Sequence, residues 1–232
     1  MGDEARTRST LGASSLWPLP YEAAIFDFDD TLAMTSGIWQ KVDHLFFERR
    51  GMPYPAGLDE ALAPLSFEGC AEYVISRFGL DERVEDICRE WNDDGRRLYD
   101  EGVPLREGAL AYLRRIHDAG VRCALATTNS SEVLASTIEG SGLDGVLDAM
   151  VFGDMVPVPK DKPDIYLTAA GRVGVEPTGC IVFDDIARGL SSARSCGMAT
   201  CAVNANDTES ARRAKEAVAD IYLTSWKDIP IP

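Results

Sequence analysis

The stretch AAIFDFDDT, residues 23–31, decides how the rest of the chain is read. An apolar run that ends in Asp27 and Asp29 reads as a buried strand with carboxylates at its carboxyl end. Similar runs follow at CALA (123–126), MVF (150–152), CIVF (180–183), TCAV (200–203) and DIYL (220–223). Helical patterns fall between them. Over 107–119, Leu110, Leu113 and Ile116 recur at helical spacing, with Gly120 as a stop. Over 163–174, Pro163 suits a first helical turn and Ile165, Tyr166 and Ala169 follow it. Strands alternating with helices predict an α/β fold, a Rossmann-like three-layer α/β/α core on a parallel sheet.

Residues 36–101 break the alternation. They hold no strand-like run and at least three helical stripes: Ile38, Trp39, Val42, Leu45 and Phe46; Phe67, Cys70, Ala71, Val74, Ile75 and Phe78, with Ser66 as N-cap; and Val84, Ile87, Cys88, Trp91 and Leu98. A helical insert after the first strand predicts an all-helical lid over 36–101 on a core made of 21–35 and 102–232. Residues 1–20, rich in Ser and Thr, read as a flexible tail with no apolar segment typical of a secretory signal.

Composition narrows the function classes. The chain has 232 residues, with 45% hydrophobic and 8% aromatic residues, an ordinary globular balance. Its 23 Lys+Arg against 38 Asp+Glu give a net charge of −15. That balance argues against nucleic acid and against an anionic membrane surface, both of which are gripped by Lys and Arg. No apolar run is long enough to span a bilayer. Cys70, Cys88, Cys123, Cys180, Cys196 and Cys201 are scattered without C-x-x-C spacing, so reduced thiols in a cytoplasmic protein are expected.

Four positions share one feature: each stands at the carboxyl end of a strand, where open α/β sheets bind ligands. Asp27 and Asp29 could divide labour, one attacking or binding metal and the other moving protons. Thr127, Thr128 and Asn129 put a hydroxyl and backbone N–H groups at a strand–helix junction, a potential anion site. Lys160 precedes the Pro163 helix and could neutralise a phosphoryl group. Asp184 and Asp185 cap the CIVF strand, and two adjacent acids there call for a hard cation such as Mg²⁺.

IFDFDDTL (25–32), ALATTNS (124–130) and KDKPDIYLTAAGRVGVEPTGCIVFDDIARGLSSARSCGM (160–198) carry, in order, the four motifs of the haloacid dehalogenase superfamily, which this chain resembles over roughly residues 23–226. The helical insert resembles that family's C1 cap. The resemblance implies that Asp27 is the nucleophile and forms an aspartyl-phosphate, and that Asp29 is the general acid and base. Thr127 and its neighbours would hold phosphoryl oxygens. Lys160, favoured over Lys162 by the motif spacing, would neutralise charge. Mg²⁺ would bind the Asp27 carboxylate, the Asp29 carbonyl and Asp185, with Asp184 supporting or ligating. The expected substrate is a small phosphorylated metabolite, handled by a monomer or weak homo-oligomer.

Three departures from the family pattern stand out. Asp30 occupies a position often held by Gly, Met34 one where an acid is common, and Asp184 one usually held by Glu. Asp29 argues against dehalogenation, which lacks this second acid. Lys41 as the remaining cap lysine argues against Schiff-base phosphonatase chemistry. A beta-phosphoglucomutase needs cap cations near positions 39, 67 and 91, whereas this chain has Trp39, Phe67 and Trp91. These three either pack within the cap or form an aromatic face favouring a planar or apolar leaving group. The alternatives are therefore a sugar phosphomutase of that type and, from a different class, a non-catalytic phosphate-binding regulatory module. The latter would have no need of Asp29.

Overall fold

The computed structural model describes residues 12–62, 65–156 and 160–230. Six strands form one sheet: β1 (Ala23–Phe26), β2 (Arg122–Ala126), β3 (Ala149–Val151), β4 (Cys180–Asp184), β5 (Ala199–Val203) and β6 (Ile221–Leu223). Every pairing is parallel and the order is β3-β2-β1-β4-β5-β6. The chain winds outward from β1 in one direction through β3, then resumes on the other side with β4. The crevice at the carboxyl ends of β1 and β4 is thus the topological switch point, where such sheets bind ligands.

β1 is buried on both faces, and its alternation separates the two layers of the core. Ala24, Phe26 and Phe28 point into one hydrophobic cluster, whereas Ala23 and Ile25 point into the other. Phe26 stacks on Phe183 of β4 with ring centroids 4.8 Å apart, which fixes the β1–β4 register through side chains as well as backbone.

Nine helices are described: α1 (Ile38–Arg49), α2 (Leu58–Leu62), α3 (Phe67–Phe78), α4 (Val84–Asp100), α5 (Ala109–Asp118), α6 (Ser131–Ser141), α7 (Asp164–Val173), α8 (Ala187–Ser195) and α9 (Glu209–Val218). Helices α1–α4 form the insert and share their own core of Val42, Phe46, Phe47, Leu58, Ala71, Val74, Ile87 and Trp91. Ser66 caps α3 by accepting a hydrogen bond from the Gly69 N–H at 3.1 Å. The short α2 is a fourth helix of the insert and writes no stripe of its own, because five residues are too few to show one. The two connections of the insert run side by side, with Met34 N–H donating to the Pro104 carbonyl at 2.9 Å and Arg106 N–H to that of Leu32 at 2.8 Å.

The expected tail over 1–20 needs correction at its inner end; residues 1–11 lie outside the described part. Residues 13–16 form a single 3₁₀ turn. Leu16 is fully buried in the main cluster, its carbonyl accepts a hydrogen bond from the Tyr112 hydroxyl at 3.1 Å, and Arg115 lies over the Trp17 ring. Leu16 and Trp17 supply enough apolar surface to hold a Ser-rich segment against the core.

Candidate active site

β1 delivers Asp27 to the switch point. Its N–H donates to the Phe183 carbonyl at 2.9 Å and so continues the sheet ladder, and its side chain is 3% exposed. β4 delivers Asp184, fully buried, directly alongside. Lys160 comes from the segment before α7, and its ammonium reaches both acids, 2.5 Å from Asp27 Oδ1 and 2.8 Å from Asp184 Oδ2. Lys160 is 4% exposed while Lys162 lies at the surface, so burial separates two lysines that sequence spacing alone ranked.

Asp184 is saturated from its own side. Its Oδ2 also accepts from the Tyr166 hydroxyl at 2.7 Å, and its Oδ1 from the Ile186 N–H at 2.8 Å. Gly189 makes the room for this contact, since a Cβ there would come within 2.6 Å of the Tyr166 oxygen. These bonds orient Asp184 to hold the ammonium.

Asp29 is gripped by two donors, the Tyr99 hydroxyl on Oδ1 and the Asn129 side-chain amide on Oδ2, the latter at 2.6 Å. Asp30 adopts a left-handed φ of 50°, which explains why Gly suits this position. Its carboxylate accepts from the N–H groups of Thr35 and Ser36 at 3.1 and 2.9 Å, and Arg106 Nη1 donates to its carbonyl at 2.7 Å. The turn after β1 is thereby closed on itself.

Charge is concentrated here. Burial first, with Asp184 and Asp29 adding repulsion against the opposing pull of Lys160, pushes the Asp27 carboxyl up to about 7. Burial also raises Asp29, and burial with repulsion from Asp27 and Asp184 raises Asp185 well above its ordinary value. Burial alone would lower Lys160, but Asp184 and Asp27 outweigh it and hold the ammonium well above its usual range. Oxygens of Asp27, Asp184 and Asp185 lie within 4.8 Å of one another. An all-carboxylate donor set of that size, with more negative charge than one lysine balances, fits a hard divalent cation.

A sequence profile of haloacid dehalogenase-like hydrolases matches residues 24–203. The chain belongs to that family. This hydrolase is 25% identical over 177 residues to a phosphorylated carbohydrates phosphatase of Thermotoga maritima, covering 76% of this chain and 82% of that one. It is 29% identical over 179 residues to the fructose-1-phosphate phosphatase YqaB of Escherichia coli, covering 77% and 94%. The crystal structure of CbbY from Rhodobacter sphaeroides in complex with phosphate superposes with a TM-score of 0.77 at 24% identity, covering 90% of this chain and 96% of that one, a likeness of fold.

The remaining expected residues of the hydrolase divide into groups. Thr127 is fully buried, its N–H donates to the Val151 carbonyl, and its hydroxyl oxygen accepts the Asn129 N–H at 3.2 Å; Thr128 is exposed. Asn129 gives its side-chain amide to Asp29 and to the Tyr99 oxygen, 3.1 Å away. Trp39, Phe67 and Trp91 do come together: Phe67 meets Trp39 edge-on at 5.8 Å and Trp91 at 5.6 Å. Trp91 is 3% exposed and enclosed by Phe46 and Phe67, so its ring packs the insert; Trp39 and Phe67 are half-buried. Tyr99, Tyr166, Gly153 and Gly189 were not anticipated. Each matters only through a partner distant in sequence or a close backbone approach. The spacing of Tyr166 on α7, behind Lys160, is the one local signal that could have found any of them.

Proposed function

We infer that this hydrolase is a Mg²⁺-dependent phosphatase acting on the monoester of a small phosphorylated metabolite. The observation that carries the reading is the buried Lys160 ammonium, shared by Asp27 and Asp184, with Asp185 beside them at the switch point of the sheet. Lys160 and a bound divalent cation would together supply the positive charge that lets an anionic group meet a carboxylate in a strongly acidic protein.

In the proposed reaction an Asp27 oxygen attacks phosphorus while the ester P–O bond breaks. The departing oxygen takes the proton of the Asp29 carboxyl, and Asp27 becomes an acyl phosphate. Water then attacks the same phosphorus, its proton passing to Asp29. The bond between phosphorus and Asp27 breaks, freeing inorganic phosphate and restoring both side chains. Lys160 offsets the repulsion between Asp27 and the dianion, and the Thr127 hydroxyl with the N–H groups of the following turn receives phosphoryl oxygens. Asp27, the Asp29 carbonyl and Asp185 would hold Mg²⁺, with Asp184 supporting; when bound, the ion supplies charge neutralisation at the transferring group.

The insert, residues 36–101, serves as a cap that excludes water, and Trp39 and Phe67 are its candidates for contact with the leaving group. A phosphomutase would need cations at positions 39, 67 and 91 to anchor a second phosphate, and those positions are aromatic. Six free cysteines support a reducing, cytoplasmic setting, and a monomer or weak homo-oligomer is proposed. No described helix is long and apolar enough to cross a membrane.

The test is phosphate release with Mg²⁺ across a panel of phosphate esters. Sugar and sugar-alcohol phosphates come first, as the named relatives suggest, followed by nucleoside and vitamin phosphates. Wild type should turn over at least one class, and Asp27→Asn should abolish turnover. A panel with no release from wild type refutes the reading.

A further inference from the structure

We propose that Tyr99, assigned no part by any sequence motif, is a positioning residue that aims the Asp29 carboxyl at the reacting phosphoryl group. The proposal rests on the phosphatase reading above and adds a residue to it.

Tyr99 stands one residue before the end of α4, and its side chain is 1% exposed. A phenol buried to that extent needs partners for its hydroxyl. The hydroxyl donates to Asp29 Oδ1 and accepts from Asn129 Nδ2 at 3.1 Å, while the same amide donates to Asp29 Oδ2 at 2.6 Å. Tyr99, Asn129 and Asp29 thus close a triangle in which each carboxylate oxygen has one donor. Two donors on two oxygens fix the plane of a carboxylate, which a single hydrogen bond leaves free to rotate. Each oxygen keeps a further lone pair for the leaving oxygen or for water.

From the insert side, Trp39 of α1 packs against α4 just before Tyr99. Gly95 lies one helical turn before Tyr99 on the same face, and a Cβ there would come within 3.0 Å of the Trp39 ring. The missing side chain at Gly95 is what lets the indole lie against α4. Phe28, next to the two acids in sequence, flanks the phenol ring at 6.3 Å between centroids. Tyr99 therefore brings a donor from the insert onto the core residue Asp29. Asp29 must protonate the leaving oxygen in the first step and take a proton from water in the second, so a fixed orientation serves both.

A series of ring-substituted phenyl phosphates tests this, because the leaving group changes in basicity while its shape is nearly constant. A basic leaving phenolate needs the Asp29 proton, whereas 4-nitrophenolate departs with little help. In Tyr99→Phe, kcat/KM should fall about tenfold or more for electron-rich phenyl phosphates and about threefold or less for 4-nitrophenyl phosphate, within the range of general acid catalysis. The dependence on leaving-group basicity should therefore steepen relative to wild type. The ring packing is retained in this variant, so its melting temperature should stay within a few degrees of wild type. A uniform loss across the series would mark a merely structural role, and no loss would mark none; either overturns the proposal while the phosphatase reading stands. A wild type inactive on the whole series would remove both.

Discussion

Lys160 Nζ lies 2.5 Å from Asp27 Oδ1 across 133 residues of chain, and both side chains are almost fully buried. The pair is completed by Asp184, so one ammonium faces two carboxylates. Removing a single member of such a cluster leaves uncompensated charge in the interior. Lys160→Met should therefore destabilise the chelator-treated protein by about 3–5 kcal/mol, read from denaturant midpoints. Added Mg²⁺ should restore part of that stability. It should not restore turnover, which is expected to stay lower by about 100-fold or more because the charge-neutralising group is gone. A Lys160→Met protein that hydrolyses phosphate esters like wild type would remove Lys160 from the mechanism.

The raised Asp27 carboxyl makes stability depend on pH. In the unfolded chain Asp27 gives up its proton near pH 4, but in the folded protein it keeps the proton up to about 7. Its stabilising contribution is complete below pH 4 and is lost as pH rises through 7, at about 1.4 kcal/mol per pH unit within that window. Asp29 and Asp185 act in the same direction. In chelator, Asp27→Asn should flatten part of the fall in denaturant midpoint between pH 5 and pH 7.5, an interval chosen inside and just above the window. A divalent ion should flatten it in wild type. Parallel profiles for the two proteins in chelator would contradict the assignment.

Asp30 carries two separable contributions. Its φ of 50° disfavours any residue with an ordinary side chain, and its carboxylate satisfies the backbone of Thr35 and Ser36. Asp30→Gly keeps the conformation and loses the acceptor, while Asp30→Ala loses both. The Ala variant should accordingly be less stable than the Gly variant by about 1 kcal/mol, the size of the left-handed penalty. Equal midpoints in urea would show that the turn relaxes to another conformation.

The inner strands β1, β2, β4 and β5 were legible because a strand buried on both faces is a continuous apolar run, and the half-buried edge strands β3 and β6 write a shorter version of it. The acids, Thr127 and Lys160 were legible for a related reason: strand ends and the starts of helices can be placed from local pattern, and the sheet then collects them. What sequence could not supply was the meeting of distant side chains. Tyr99 looks like one more aromatic on an amphipathic helix until α4 sets its hydroxyl on Asp29. Asn129 reads as a phosphate-binding residue by its place after Thr127, and nothing in that local pattern shows its side-chain amide meeting the same acid. Leu16 and Trp17 were hidden by the Ser-rich composition around them. Trp91 differs again, since packing and substrate contact leave the same helical stripe, and only its enclosure by Phe46 and Phe67 distinguishes them.

Gly153 ties the turn after β2 to the end of β3. Its N–H donates to the Asn129 carbonyl at 2.9 Å, and a Cβ in its place would overlap the Thr128 carbonyl. The obstacle is backbone, so no side-chain rotation relieves it. Gly153→Ala must push the Thr127–Asn129 turn away from the carboxylates or distort β3. The expected result is a loss of about 1–3 kcal/mol in stability, as for overpacked sites, together with a fall in kcat. Gly145, where the nearest atom to an added Cβ is 3.8 Å away, is the matched control, and Gly145→Ala should leave both quantities close to wild type. Because Asn129 also holds Asp29, the kcat loss in Gly153→Ala should be larger for electron-rich than for electron-poor phenyl phosphates. A variant as active as wild type on both would show that the turn does not need to lie this close to β3.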